Sequence, residues 1–132
     1  MKKSRSPKKT NVSPLVVIVD DDESVRNSIQ NLTRSMGFRT EAFESAEAFL
    51  NSHLVDQAGC LLLDVRMPGM NGLQLMERLN EMGSTIPVIF VTAHYTEDLR
   101  KQALNGRAIE FLSKPFSEKA LLDAISAALK KE

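Results

Sequence analysis

Two apolar runs without alternation, Leu15-Val16-Val17-Ile18-Val19 and Cys60-Leu61-Leu62-Leu63, constrain the fold most. A strand with one wet face alternates apolar and polar side chains. A run that is apolar throughout is covered on both faces, as parallel strands inside an α/β sheet are. Both runs stop at acids, the first at Asp20-Asp21-Asp22-Glu23 and the second at Asp64. A lone carboxylate there could simply end a strand or cap the next element. The carboxyl end of a buried strand is also where open α/β sheets hold their ligands.

The segments between the runs read as helices. Val25, Ile29, Leu32 and Met36 recur at helical spacing up to Gly37, a stop signal. Phe38 to Phe43 mixes apolar and polar residues as an edge strand does, and Ser45 can cap a short helix that turns Ala46, Phe49 and Leu50 inward. After the central strand at 59–63, Pro68-Gly69 and Asn71-Gly72 mark a tight loop. A helix follows with Leu75, Met76, Leu79 and Met82 on one side, ending near Gly83. Ile86 to Val91 is the fourth predicted strand, with Pro87 tolerated at its start. A charged helix over about 96–104 breaks near Asn105-Gly106, and Ala108 to Leu112 forms the fifth strand. The last helix starts at a Ser117 cap and buries Leu121, Leu122, Ile125, Ala128 and Leu129. Strands alternating with helices imply βαβ units with right-handed crossovers, hence an α/β, doubly wound, five-stranded parallel sheet with five helices in three layers.

Composition narrows the class. The 132 residues are one domain's worth, and 42% apolar with 26% charged is ordinary for a globular chain. No apolar run approaches the ~18 residues of a membrane span, and no signal-peptide core follows the basic start. A cytoplasmic protein without membrane partners is expected. The single cysteine, Cys60, lies inside an apolar run and reads as a buried, inert thiol. The zero net charge is uneven: residues 1–14 carry five Lys/Arg and no acid, leaving 12 Lys/Arg against all 17 Asp/Glu in residues 15–132. Residues 1–14 read as a basic, disordered tail, and 15–131 as the folded domain. The tail is a solvated leader rather than a nucleic-acid arm, so no direct nucleic-acid contact is expected of the domain.

The unusual polar residues fall at the ends of strands one, three, four and five: Asp20 and Asp21, Asp64, Thr92, and Lys114. If the first and third strands are neighbours, three carboxylates meet, and each pair at ~4 Å and an effective dielectric near 20 costs roughly 4 kcal/mol. They must share protons, find cations or bind a metal. Hard oxygen ligands on a rigid edge suit Mg2+. With the Lys114 ammonium and the Thr92 hydroxyl beside them, they form a setting for a phosphoryl group and for an aspartate nucleophile.

In this order and spacing, Val19-Asp20-Asp21-Asp22, Leu62-Leu63-Asp64-Val65-Arg66-Met67-Pro68-Gly69-Met70-Asn71-Gly72, Val91-Thr92-Ala93 and Phe111-Leu112-Ser113-Lys114-Pro115-Phe116 resemble the receiver domain of two-component response regulators. The resemblance covers residues 14–130 and is closest to CheY-like receivers of the LuxR-type (FixJ-like) regulators. It implies the flavodoxin-like strand order 2-1-3-4-5. It also implies that Asp64 is the phosphoacceptor, that Asp21 binds Mg2+ directly and Asp20 largely through water, and that the Arg66 backbone carbonyl is a further ligand. Lys114 would pair with the phosphoryl oxygens, on a Lys114–Pro115 peptide that is usually cis. Thr92 would be the switch hydroxyl, and Phe111 the aromatic that turns inward with it. The side chains of Arg66 and His94, two residues beyond Asp64 and Thr92, border the water path in the family and would tune dephosphorylation. Asp22 reads as a helix-start residue, His53 as plain surface, and the methionines and Phe116 as core.

The implied function is a phosphorylation switch, not a turnover enzyme beyond its own phosphotransfer and slow hydrolysis. A histidine kinase donates the phosphoryl group, and the charge shifts the face of the fourth helix, fifth strand and fifth helix toward an output domain or partner. Whether the chain is a single-domain regulator or part of a longer regulator or hybrid kinase stays open. A homodimer through that face is possible, with its mode in doubt because Arg107 stands where glycine is usual in Gly106-Arg107-Ala108. Two alternatives keep the fold: a phosphate-independent interaction module, and an aspartate-nucleophile phosphohydrolase, which lacks the expected Asp-x-Asp-x-Thr because Val65-Arg66-Met67 follows Asp64.

Overall fold

A computed structural model describes residues 14–130, so the tail reading of residues 1–13 and the last two positions lie outside the described residues. Along the chain run β1 (Leu15–Val19), α1 (Glu23–Ser35), β2 (Arg39–Phe43), α2 (Ala46–Asn51), β3 (Ala58–Leu63), α3 (Gly72–Glu81), β4 (Val88–Thr92), α4 (Glu97–Asn105), β5 (Glu110–Ser113) and α5 (Glu118–Lys130). The strands pair in parallel in the order β2-β1-β3-β4-β5. This is the expected 2-1-3-4-5 sheet with the mixed Arg39–Phe43 strand at its edge.

Side chains on a strand alternate between faces, so each unbroken apolar run feeds two cores. Val17, Val19, Leu61, Leu63 and Phe90 pack with Phe49, Leu75, Leu79 and Ala103 on the α2–α3–α4 side. Val16, Ile18, Leu62, Ile89 and Val91 pack with Ile29, Leu121 and Ile125 on the α1–α5 side. Cys60 is in this second core, where burial pushes its thiol up to about 12. Phe116 packs only at its edge.

Three helices end the same way. Gly37, Gly83 and Arg107 all have positive φ (94°, 79° and 83°), and each donates its N–H to the carbonyl three residues back. The next residue in each case (Phe38, Ser84, Ala108) donates to Thr33, Leu79 or Ala103, five residues back. This is a Schellman closure, whose left-handed residue is normally glycine. At α4 an arginine adopts it instead.

The closures correct two core assignments. Met36 and Met82 continue the apolar spacing of α1 and α3, but they occupy the C-cap positions, where the left-handed residue turns the chain away, and they are 55% and 53% exposed. Thr33 takes the inward place in α1, its hydroxyl donating to the Ile29 carbonyl at 2.9 Å. Leu122 and Leu129 are half-buried, and Ala124 is buried in their stead. The fourth and fifth strands start two residues later than their apolar runs, at Val88 and Glu110, although Pro87 already accepts the Leu61 N–H at 2.9 Å. Ser117 caps α5 as expected, its hydroxyl accepting from the Ala120 N–H at 3.0 Å.

Candidate functional site

Register alone assembles the site. Val19 pairs with Leu63, so the next residues, Asp20 and Asp64, leave the sheet side by side, and the Asp64 N–H donates to the Val19 carbonyl at 3.0 Å. Thr92 pairs with Ser113, so Lys114 emerges next to Thr92, donating its N–H to the Thr92 carbonyl at 2.8 Å. The Lys114–Pro115 peptide is cis. Asp20, Asp21 and Asp64 each offer a carboxylate oxygen, all within 4.8 Å of one another.

Two of the three acids are buried. Asp20 is 2% exposed, and its Oδ2 takes the Lys114 ammonium at 2.8 Å while its Oδ1 accepts the Asp22 N–H at 2.9 Å. Asp64 is 7% exposed; its Oδ2 lies 3.7 Å from Lys114, and its buried Oδ1 has no hydrogen-bond partner. Burial, and secondarily the charge of Asp20, push the Asp64 carboxyl above its ordinary range against the pull of Lys114 and Thr92. Asp21 is exposed, and its carboxylate makes no hydrogen bond or ion pair among the described residues. A buried carboxylate oxygen without a donor beside two more carboxylates is a donor set for a hard cation, and the residues fit Mg2+.

The surroundings hold these groups in place. Asp22 is the N-cap of α1, accepting from Ser24 and Val25, and these bonds, led by the Ser24 hydroxyl, lower its carboxyl. Gly72 begins α3 because nothing larger fits: a Cβ would stand 2.2 Å from the Asp64 carbonyl oxygen and 3.0 Å from the Phe90 ring. Asn71 and Gln74 close a capping box over the same turn. Thr92 is fully buried, with its hydroxyl accepting the His94 N–H at 3.0 Å. Phe111 is already inward, 5.7 Å from the Phe90 ring and 5.4 Å from that of Tyr95 between centroids. Arg66 and His94 are exposed and line the open cleft together with Asp20, Asp21, Asp64 and Lys114. His53 is exposed and stands apart from the cleft lining.

Two contacts were not anticipated. The Arg26 guanidinium donates to the Asp20 carbonyl at 2.8 Å, and the Glu47 carboxylate accepts the Met70 N–H at 2.9 Å, which lowers the Glu47 carboxyl. Arg26 left a faint signal, a charged residue between Val25 and Ile29 in the first turns of α1. Glu47 left none, since its bond crosses 23 residues.

A model of the response regulator receiver domain matches residues 16–126. The response regulator protein TodT of Pseudomonas putida is 44% identical over 116 residues, 88% of this chain and 51% of TodT. The transcriptional regulatory protein FixJ of Azorhizobium caulinodans is 40% identical over 114 residues, 86% of this chain and 54% of FixJ. The solved response regulator StyR superposes with a TM-score of 0.84 at 49% identity, covering 90% of this chain and 60% of StyR. The chain thus spans about half the length of the curated relatives it matches.

Proposed function

The chain belongs to the response regulator receiver domain family, and on that premise we propose that Asp64 is its phosphoacceptor, taking a phosphoryl group from a kinase histidine in the presence of Mg2+. Receiver domains of this family are two-component signalling switches rather than turnover enzymes. One observation carries the proposal: the buried Asp64 Oδ1 that no protein group satisfies, with two further carboxylates and an ammonium around it.

The chemistry is a single displacement. An Asp64 carboxylate oxygen attacks phosphorus, the P–N bond to the donor imidazole breaks, and the departing nitrogen keeps the electron pair and takes up a proton from solvent. Asp20, Asp21 and Asp64, with the Arg66 backbone carbonyl, would hold Mg2+. When bound, that ion supplies positive charge to the phosphoryl oxygens. Lys114 supplies the second cation once its 3.7 Å approach to Asp64 is replaced by contact with the phosphoryl group.

In the switch we propose, the Thr92 hydroxyl leaves the His94 N–H for the new phosphoryl oxygens. Because Phe111 is already inward, the response falls on the loop carrying His94 and Tyr95, and through it on the α4–β5–α5 face. The partners of this domain, itself proposed to be cytoplasmic, would be a histidine kinase and an output domain or protein, a DNA-binding one by analogy with the transcriptional relatives, with a homodimer through the same face. No described helix is long and apolar enough to cross a membrane. The domain so proposed is 15–131, outside which the basic tail has no assigned part. Arg66 and His94, at the mouth of the cleft, would set the phosphoryl lifetime; an unchanged decay rate after replacing both would refute that role.

Intact mass after incubation with acetyl phosphate tests the central reading. A gain of one phosphoryl group that needs Mg2+ and disappears in Asp64→Asn is expected. No adduct, together with no binding of beryllofluoride, would leave the fold as a phosphate-independent interaction module, and multiple turnover of a phosphate ester would make it a hydrolase.

A further inference from the structure

We infer that Arg26 is a positioning residue for the metal site: it sets the direction in which Asp21 faces the cation. The inference rests on the reading of the acidic cluster as a Mg2+ site. Arg26 lies on α1, one turn beyond the N-cap Asp22, and its guanidinium donates to the Asp20 carbonyl at 2.8 Å. That carbonyl belongs to the peptide joining Asp20 to Asp21. Asp20 itself is held by its N–H, which donates to Phe43 at 3.1 Å, and by its Oδ2, which pairs with Lys114 at 2.8 Å, while its Oδ1 accepts the Asp22 N–H at 2.9 Å and so holds the peptide on the far side of Asp21. The Asp21 side chain has no such hold, being exposed with a carboxylate that bonds to nothing among the described residues. The two peptides flanking Asp21 therefore decide where its Cβ points: the Asp22 N–H bond holds the second, and Arg26 is the side chain that holds the plane of the first.

Placement of α1 does not depend on this bond. The helix is capped by Asp22 and docked through Val25 and Ile29, so loss of Arg26 leaves it seated. Groups behind a ligand commonly govern metal affinity by about ten- to a hundredfold. The sign of the effect separates positioning from charge. Removing a guanidinium bonded to the Asp20 carbonyl takes a positive charge away from the neighbourhood of the cation and would tighten its binding, whereas loss of the brace weakens it.

Titration calorimetry of MgCl2 into the wild type, Arg26→Met and Arg26→Lys, with the melting midpoint of each measured without metal, tests the inference. Arg26→Met is expected to bind Mg2+ about tenfold more weakly, at the low end of that range because Arg26 acts through a peptide. Arg26→Lys keeps the charge but lacks the reach of the guanidinium, and is expected to weaken binding by a smaller factor. If the methionine variant does not fold, the lysine variant decides. Unchanged or tighter binding in the folded variants, whatever happens to the melting midpoint, would overturn the inference while leaving the site reading intact. A wild type that neither binds Mg2+ nor forms the metal-dependent adduct would overturn the site reading, and the inference with it.

Discussion

Lys114 and Asp20 are joined by a 2.8 Å ion pair although 94 residues separate them and two strands, β3 and β4, lie between their own. The pair is largely withdrawn from water, with side-chain exposures of 17% and 3%. The second carboxylate, Asp64, shares the same ammonium at 3.7 Å. Lys114→Met should leave two neighbouring acids uncompensated and lower stability by about 3 kcal/mol at neutral pH. Urea denaturation measures this, and a loss well under 1 kcal/mol would mean that water already satisfies both carboxylates.

Asp64 should cost the metal-free fold stability. Its carboxyl is raised, first by burial and then by Asp20, so the folded protein holds that proton more firmly than the unfolded chain. The penalty is absent below the ordinary carboxylate range, grows as pH climbs toward the raised folded value, and is complete above it. Asp64→Asn removes the charge and should stabilise the protein by about 1 kcal/mol at pH 7, a scale usual for relief of a functional site. Thermal melts without Mg2+ at neutral and acid pH should show the gain shrinking as pH falls. A gain that is the same at both would place its origin elsewhere.

Gly72→Ala and Gly83→Ala should differ sharply. At Gly72 the new methyl would stand 2.2 Å from the Asp64 carbonyl oxygen, with the Phe90 ring at 3.0 Å behind it, and that backbone cannot yield without moving Asp64. A loss of about 3 kcal/mol is expected. At Gly83 nothing lies within 4 Å, and only the positive φ of 79° is penalised, at about 1 kcal/mol. Chemical denaturation of both variants side by side checks the ratio.

Arg107→Gly should stabilise. Arg107 closes α4 at φ 83°, in the position that Gly37 and Gly83 fill in α1 and α3, and its N–H bond to Leu104 at 3.0 Å is retained by glycine. The expected gain is about 1 kcal/mol, the strain of a left-handed L-residue. Reduced stability would show that the arginine side chain makes up for its backbone.

Sequence patterning alone determined the architecture. Runs such as Leu15–Val19 and Cys60–Leu63 suit strands buried on both faces, their alternation with helices makes the sheet parallel, and the acids that end them then fall at its carboxyl edge. Asp20, Asp64 and Thr92 were legible for that reason, each being the polar residue at which an apolar run stops, and Asp21 and Lys114 follow one residue after such a stop. Tertiary structure decided what depends on three-dimensional closure. Met36 and Met82 keep the apolar period but fall one residue past the last helical turn, where a left-handed backbone reverses the chain, and hydropathy carries no record of that turn. Arg26 and Glu47 make their bonds to backbone groups, whose positions no side-chain pattern encodes. Register placed Asp20 and Asp64 side by side and left Asp64 Oδ1 unpaired, because pairing Val19 with Leu63 is a property of the assembled sheet rather than of either strand.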